Sequence, residues 1–238
     1  SSLDFGAIAA GQGGRAADLT AAGGDGTLGA LSAFTLCGWL NARDLTAGWG
    51  GNRIAFALAW PDGPGFDLVQ LANGALRIGI NQWPDGANGG GPSSSPGVLG
   101  ADPQTDAPNW VFFTVTYDPS LAAGQVKYYF GSPTALVTLD SAHDYTGGLA
   151  NGGVIESTGF LTLGNFSDVV GARNETGPGG GSRLFRGLMD EVRVYDRAFE
   201  LAEIQQAQLN GALPPVPVTI TKQPANRTVF AGQSASFS

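Results

Sequence analysis

Carboxylates and tryptophans are the residues of this chain whose types and positions point to chemistry. Asp190 comes first, because in the run Gly187 to Ile204, GLMDEVRVYDRAFELAEI, it stands where an apolar residue is expected. Alternation from Leu188 to Tyr195 puts Leu188, Asp190, Val192 and Val194 on one face, and Met189, Glu191, Arg193 and Tyr195 on the other. A carboxylate of the valines' parity turns toward a core, at a cost of several kcal/mol unless hydrogen bonds or a cation satisfy it. Calcium is the metal that suits such a chain: it takes about six to eight oxygens, many of them backbone carbonyls, so one or two carboxylates suffice. The alternative is that Asp190 accepts backbone N–H groups at a sheet edge.

Acid–base chemistry has less to draw on. Retaining hydrolysis of a glycoside requires two carboxylates about 5 Å apart, and the glutamates are Glu156, Glu175, Glu191, Glu200 and Glu203. Glu200 and Glu203 fall on a helical stretch and read as its solvated face. His143 is the one histidine, so a Ser-His-Asp triad has a single conceivable base, and its setting in DSAHDYTGG reads as an exposed loop. Cys37, alone in FTLCGWL, reads as a small buried hydrophobe with no disulfide to make. Neither a His/Cys cluster for zinc nor a phosphate-binding loop is present. Sugar recognition needs flat aromatic platforms with a polar rim. Trp49 in AGWGGN and Trp83 in NQWPDG sit at strand-to-loop transitions and fit that role, with Asp85, Asn88 and Asp168 as polar contacts; the alternative for both rings is plain packing under a long loop. Trp39, Trp110, Phe112 and Tyr117 lie inside strand patterns and read as core.

The elements that must position these residues are strands. Glycine at 38 and proline at 14 of 238 residues punctuate apolar runs of five to eight residues, the layout of an all-β sandwich. Only 199–210 has helical periodicity, with Leu201, Ile204 and Leu209 recurring until Asn210-Gly211 stops it. Glu200 is a poor residue to start a helix, which leaves Asp196 as its cap or the end frayed. Two long irregular stretches, 83–109 and 165–182, are rich in Gly, Asp and Asn and are expected to meet at one rim. The composition changes again at 213–218, Leu-Pro-Pro-Val-Pro-Val, a stiff extended linker.

With 12 Lys+Arg against 20 Asp+Glu the net charge is −8, so no basic patch is available for nucleic acid or anionic lipid. No apolar run approaches the roughly 20 residues that span a bilayer. The start SSLDF enters a strand directly, with no signal-peptide core, and reads as that of a mature, processed chain.

SLDF near the start, AFTLCGWLN at 33–41, NWVFFTVTYD at 109–118, GQVKYYFG at 124–131, GFLTLGN at 159–165 and the DEVRVY strand occur in the order found in laminin G-like jelly-roll domains. The chain is similar to that concanavalin A-like sandwich family of secreted bacterial proteins over roughly residues 1–213. The resemblance implies an all-β, two-sheet antiparallel jelly roll with one short C-terminal helix. It also implies a structural calcium joining the first strand to the last, with Asp190 as principal ligand and Asp4 or a carbonyl near Phe5, together with Asp25, completing the shell. Enzymes of this architecture that cleave β-glucans carry E-x-D-x-x-E on one strand, which this chain lacks. The tail TITKQPANRTVFAGQSASFS resembles the opening of a bacterial immunoglobulin-like domain, giving a jelly roll at 1–212, a linker at 213–218 and a truncated neighbour at 219–238.

The expected function is a non-catalytic recognition module, secreted or at a cell surface, that binds glycan or an extracellular protein in adhesion or polysaccharide targeting. The alternative is a structural spacer or a self-associating filament subunit with no small ligand. Nucleic acid and membrane insertion are excluded as partners.

Overall fold

The computed structural model describes residues 3–4, 17–18, 29–46, 51–57, 65–83, 90–100, 109–145, 155–157, 161–164 and 184–210. The strands in chain order are β1 (Leu3–Asp4), β2 (Ala17–Asp18), β3 (Gly29–Leu31), β4 (Phe34–Asp44), β5 (Asn52–Phe56), β6 (Phe66–Gln70) and β7 (Leu76–Ile80). They continue with β8 (Val111–Tyr117), β9 (Val126–Ser132), β10 (Ala135–His143), β11 (Ile155–Ser157), β12 (Thr162–Leu163) and β13 (Arg186–Tyr195), before the helix α1 (Leu201–Asn210). A six-stranded sheet runs β1-β13-β4-β8-β9-β10 and a five-stranded sheet runs β2-β12-β5-β6-β7, with β11 and β3 forming a small third pair. Every paired strand is antiparallel. This is the expected jelly-roll sandwich with one short C-terminal helix.

The two large sheets stack because their facing residues are apolar on alternate positions. Phe34, Leu36 and Leu40 of β4 and Phe113, Val115 and Tyr117 of β8 meet Phe66 and Leu68 of β6 and Leu76, Ile78 and Ile80 of β7 in one buried cluster. Phe34 and Phe66 stack across the two sheets with ring centroids 5.3 Å apart. Each such side chain contributes on the order of 1.5–3 kcal/mol of burial free energy.

The outer face of the six-stranded sheet has a core of its own. Cys37, Phe112, Tyr129 and Val137 point away from the sandwich and are closed over by Ile204 and Ala207 of α1. That second layer explains why Phe112, on the face opposite Phe113 and Val115, is also fully buried. Burial pushes the Cys37 thiol up to about 12, with Arg193 pulling weakly the other way, so it is an inert hydrophobe. The inward face of the helix is Ile204 and Ala207, whereas Leu201, expected to face in, is exposed. Its start is held by Glu203 rather than Asp196: Glu203 accepts the Glu200 N–H at 3.0 Å and pairs with both Arg197 Nη atoms at 2.6 and 2.9 Å.

β13 departs from the alternation read in its sequence. Asp190 lies opposite Trp39 and Arg193 opposite Cys37, so Glu191 and Val192 oppose Gly38 alone and the phase shifts by one. Glu191 takes up the extra residue with a left-handed φ of 51°. Met189, Val192 and Val194 consequently join the sandwich core, and the carboxylate of Asp190 turns to the helix side with Trp39. The expectation that Asp190 shares the valines' face is overturned by this bulge.

The stretch 83–109 is only partly irregular. Residues 90–100 run along the outer edge of β7: Ser94 N–H bonds Leu76 O at 2.8 Å, Ile78 N–H bonds Pro92 O at 3.2 Å and Leu99 N–H bonds Gly74 O at 3.0 Å. The edge of the five-stranded sheet is thereby paired. His143, expected in an exposed loop, ends β10 and packs edge-on against Tyr128 at 6.0 Å.

Candidate functional site

An open groove of about 280 Å³ lies on the outer face of the six-stranded sheet, beside the end of the helix. Trp39 from β4 and Trp110, immediately before β8, are half-buried and form its aromatic walls. Trp39 is held by an edge-on contact with Phe112, centroids 5.2 Å apart at 67°. The β13 bulge delivers Asp190 and Glu191 to the same groove, directly opposite Trp39. Ser132 and Pro133 from the β9–β10 turn and Gln208 and Leu209 of the last helical turn complete its lining. Trp39 and Trp110, read from the sequence as core, are therefore groove residues, while Phe112 and Tyr117 are fully buried as expected.

Gln208 fastens the helix to the sheet. Its Oε1 accepts the buried Val137 N–H at 2.8 Å, and its Nε2 donates to Ser132 O at 3.0 Å and Ala135 O at 2.9 Å. Position 131 must be glycine for this approach, since a Cβ there would lie 2.7 Å from Gln208 Nε2 and 2.9 Å from Val137 N. Arg193 ties the floor to the helix: Nη2 pairs with Glu191 Oε2 at 2.9 Å and Nη1 donates to Ala207 O at 3.2 Å. The Glu191 carboxylate is thus compensated. Asp190 Oδ1 accepts the Glu191 N–H at 2.9 Å, which is the hydrogen-bonded alternative read from the sequence. Asp190 forms no ion pair with a described cation, and its second oxygen is left for a ligand.

The residues expected to bind sugar are placed only in part. Trp83 is half-buried, stacks on Phe56 with centroids 5.9 Å apart at 24°, and carries the Arg53 guanidinium 5.4 Å from its ring. Beneath it Arg53 and Asp67 form a fully buried ion pair at 2.9 Å. Trp49, Asp85, Asn88 and Asp168 lie outside the described residues. Of the expected calcium ligands, Asp190 faces the groove, Asp4 pairs in register with Leu188 across β1 and β13, and Asp25 lies outside the described residues. With Oδ1 already bonded and Glu191 held by Arg193, Asp190 is the one described carboxylate open to a cation here, and a calcium ion would take its remaining oxygens from backbone carbonyls, water or residues outside the described ones. Among the described residues no group of three or more His, Cys, Asp and Glu side chains gathers.

The family model described as the concanavalin A-like lectin/glucanases superfamily matches residues 13–205. The chain belongs to that superfamily. No curated protein matches it. The CBM40 of the Ruminococcus gnavus IT-sialidase, solved with α2,3 sialyllactose, is 13% identical with a TM-score of 0.53, over 86% of this chain and 95% of its own. Its α2,6 sialyllactose complex gives 13% and 0.52, over 87% and 95%. A heptameric SAP-like pentraxin from Limulus polyphemus is 14% identical with a TM-score of 0.46, over 75% of this chain and 70% of its own. At such identities the likeness speaks for the sandwich alone. This superfamily member is similar to the CBM40 in fold. Among its described residues no helix is long and apolar enough to cross a membrane.

Proposed function

We propose that the chain is a non-catalytic glycan-recognition module of an extracellular protein, and that the groove between Trp39 and Trp110 is where the sugar lies. The observation that carries this reading is the pairing of two half-buried indoles with an uncompensated carboxylate in one open groove. Indole surface suits the C–H face of a pyranose, and a carboxylate oxygen and a glutamine amide suit its hydroxyls. Support comes from the superfamily and from the CBM40 fold, whose solved complexes hold sialyllactose. Binding rather than hydrolysis is supported by the Arg193–Glu191 pair, which leaves Asp190 without a second free carboxylate beside it among the described residues. The rim residues Trp49, Trp83, Asp85, Asn88 and Asp168 remain a second proposed contact surface. A glycan array probed with the chain and with Trp39→Ala and Trp110→Ala tests the reading; hits that persist unchanged in both variants remove the groove as the site.

A second reading, self-association, is favoured by one observation. β10 is the last strand of the six-stranded sheet and carries Leu136 at 48% and Leu139 at 51% exposure. Light scattering across a concentration series checks it: growth in mass that Leu136→Lys with Leu139→Lys abolishes would make β10 a contact between copies.

A further inference from the structure

The charge of the groove points to a narrower ligand class than glycan in general. We infer that it takes a pyranose carrying a free amino group, as in a glucosamine oligosaccharide, in preference to the N-acetylated or carboxylated counterpart. This inference rests on the reading of the groove as the sugar site.

Three observations carry it. The first is the pairing pattern of the acids. Glu191 is neutralised by Arg193 at 2.9 Å, whereas Asp190 has only the Glu191 N–H on Oδ1 and no described cation beside it, so one net negative charge faces the cavity. The second is the place of the nearest cation. Arg193 is held at both ends, by Glu191 and by Ala207 O at 3.2 Å, and does not line the groove. An incoming carboxylate would therefore meet Asp190 without a counter-charge, while an ammonium would supply one. The third is the apolar wall. Trp39, Trp110, Pro133 and Leu209 line the same groove as the carboxylate, so a cation drawn to Asp190 also finds an indole face to sit on. A cavity of about 280 Å³ accommodates one or two sugar rings. The net charge of −8 draws a cationic glycan from a distance as well.

Isothermal titration calorimetry of the full chain in chelator-containing buffer, against a glucosamine oligosaccharide, its N-acetylated counterpart and sialyllactose, tests this. The amino form is expected to bind about five- to tenfold more tightly than the N-acetylated form, an advantage that shrinks as salt screens the charge. Asp190→Asn should abolish that difference while the N-acetylated form still binds, and Pro133→Lys, on the exposed turn, should narrow it independently of any change at β13. Melting curves of each variant establish that the fold persists. Equal or tighter binding of the N-acetylated or sialylated sugar, still lost in Trp39→Ala, overturns the amino preference and leaves the glycan site standing. Absence of binding to all three sugars together with an empty glycan array, or binding indifferent to Trp39→Ala and Trp110→Ala, overturns the site itself and the preference with it.

Discussion

Two tryptophan neighbourhoods on opposite sheets separate what pins an aromatic from what presents one. Trp83 follows β7 at the mouth of a loop, yet it lies against Phe56 and beneath it sits the buried Arg53–Asp67 pair, whose guanidinium is 5.4 Å from the indole. Trp39 is in the middle of an eleven-residue strand, yet its described ring contact is the edge of Phe112, and the rest of its surroundings open into the groove with Trp110. Position in the chain, loop against strand, does not decide which ring meets a ligand. What decides is whether a second layer covers that patch of sheet, and α1, at ten residues, covers only part of the outer face. An α-helix of that length spans about 15 Å.

The largest effect that sharpens this contrast lies under Trp83. Asp67→Ala removes the described carboxylate partner of the fully buried Arg53 and should destabilise the fold by about 3–5 kcal/mol. Thermal denaturation reads it directly, and a loss below about 1 kcal/mol would mean that water reaches the pair and that the Trp83 neighbourhood is not a closed layer. Trp83→Ala should come next, at about 2 kcal/mol, by removing the Phe56 stack and the cation contact. Trp110→Ala should show the opposite profile: less than about 1 kcal/mol in stability, but a several-fold weakening of glycan binding. If Trp83→Ala instead weakens binding and leaves the melting temperature in place, the contrast drawn between the two neighbourhoods is reversed.

How much of this was legible in the sequence depends on whether the signal was local. The sandwich was: the alternation of Phe113, Val115 and Tyr117 and the order of the strand motifs survive intact in the two sheets. So was the helix, although its inward face turned out to be Ile204 and Ala207 while Leu201, at its first position, stayed outside. The face of Asp190 was not legible. Alternation assumes an unbroken register, and the bulge is made by Glu191, a residue that gives no glycine or asparagine signal for a left-handed turn. Trp39 and Trp110 were legible as strand residues but not as groove residues, since the coverage of a sheet face is set by an element about ninety residues or more downstream of both. The stretch 90–100 looked like loop because its Gly, Pro and Ser lack a strand pattern. Its order comes from the unpaired edge of β7, a partner that composition does not announce.

The helix latch offers a smaller test on the groove side of the comparison. Gln208→Leu keeps the bulk of the side chain and leaves the buried Val137 N–H without its acceptor, for a loss of about 1 kcal/mol. Binding should weaken as well, because Gln208 and Leu209 form one wall of the groove. Unchanged affinity would show that the wall is not needed and that the two indoles suffice.

The smallest expected effect concerns the metal. Asp190 turns its carboxylate into the groove, spends one oxygen on the Glu191 N–H and has Glu191 compensated beside it, so the described side chains would leave most of a calcium shell to backbone carbonyls and water, and an ion there would be weakly held. Removing calcium with chelator should accordingly move the melting temperature little, and Asp190→Ala should alter glycan affinity more than stability. The opposite outcome is equally readable. A bound ion at a hundredfold above its dissociation constant stabilises a fold by about 2.7 kcal/mol. A fall in melting temperature of that order on chelation, absent in Asp190→Ala, would establish a structural calcium between β1 and β13, with Asp4, opposite Leu188, as its nearest partner in register. It would also neutralise the charge on which the amino-sugar preference depends, so that preference should then appear only after the metal has been removed.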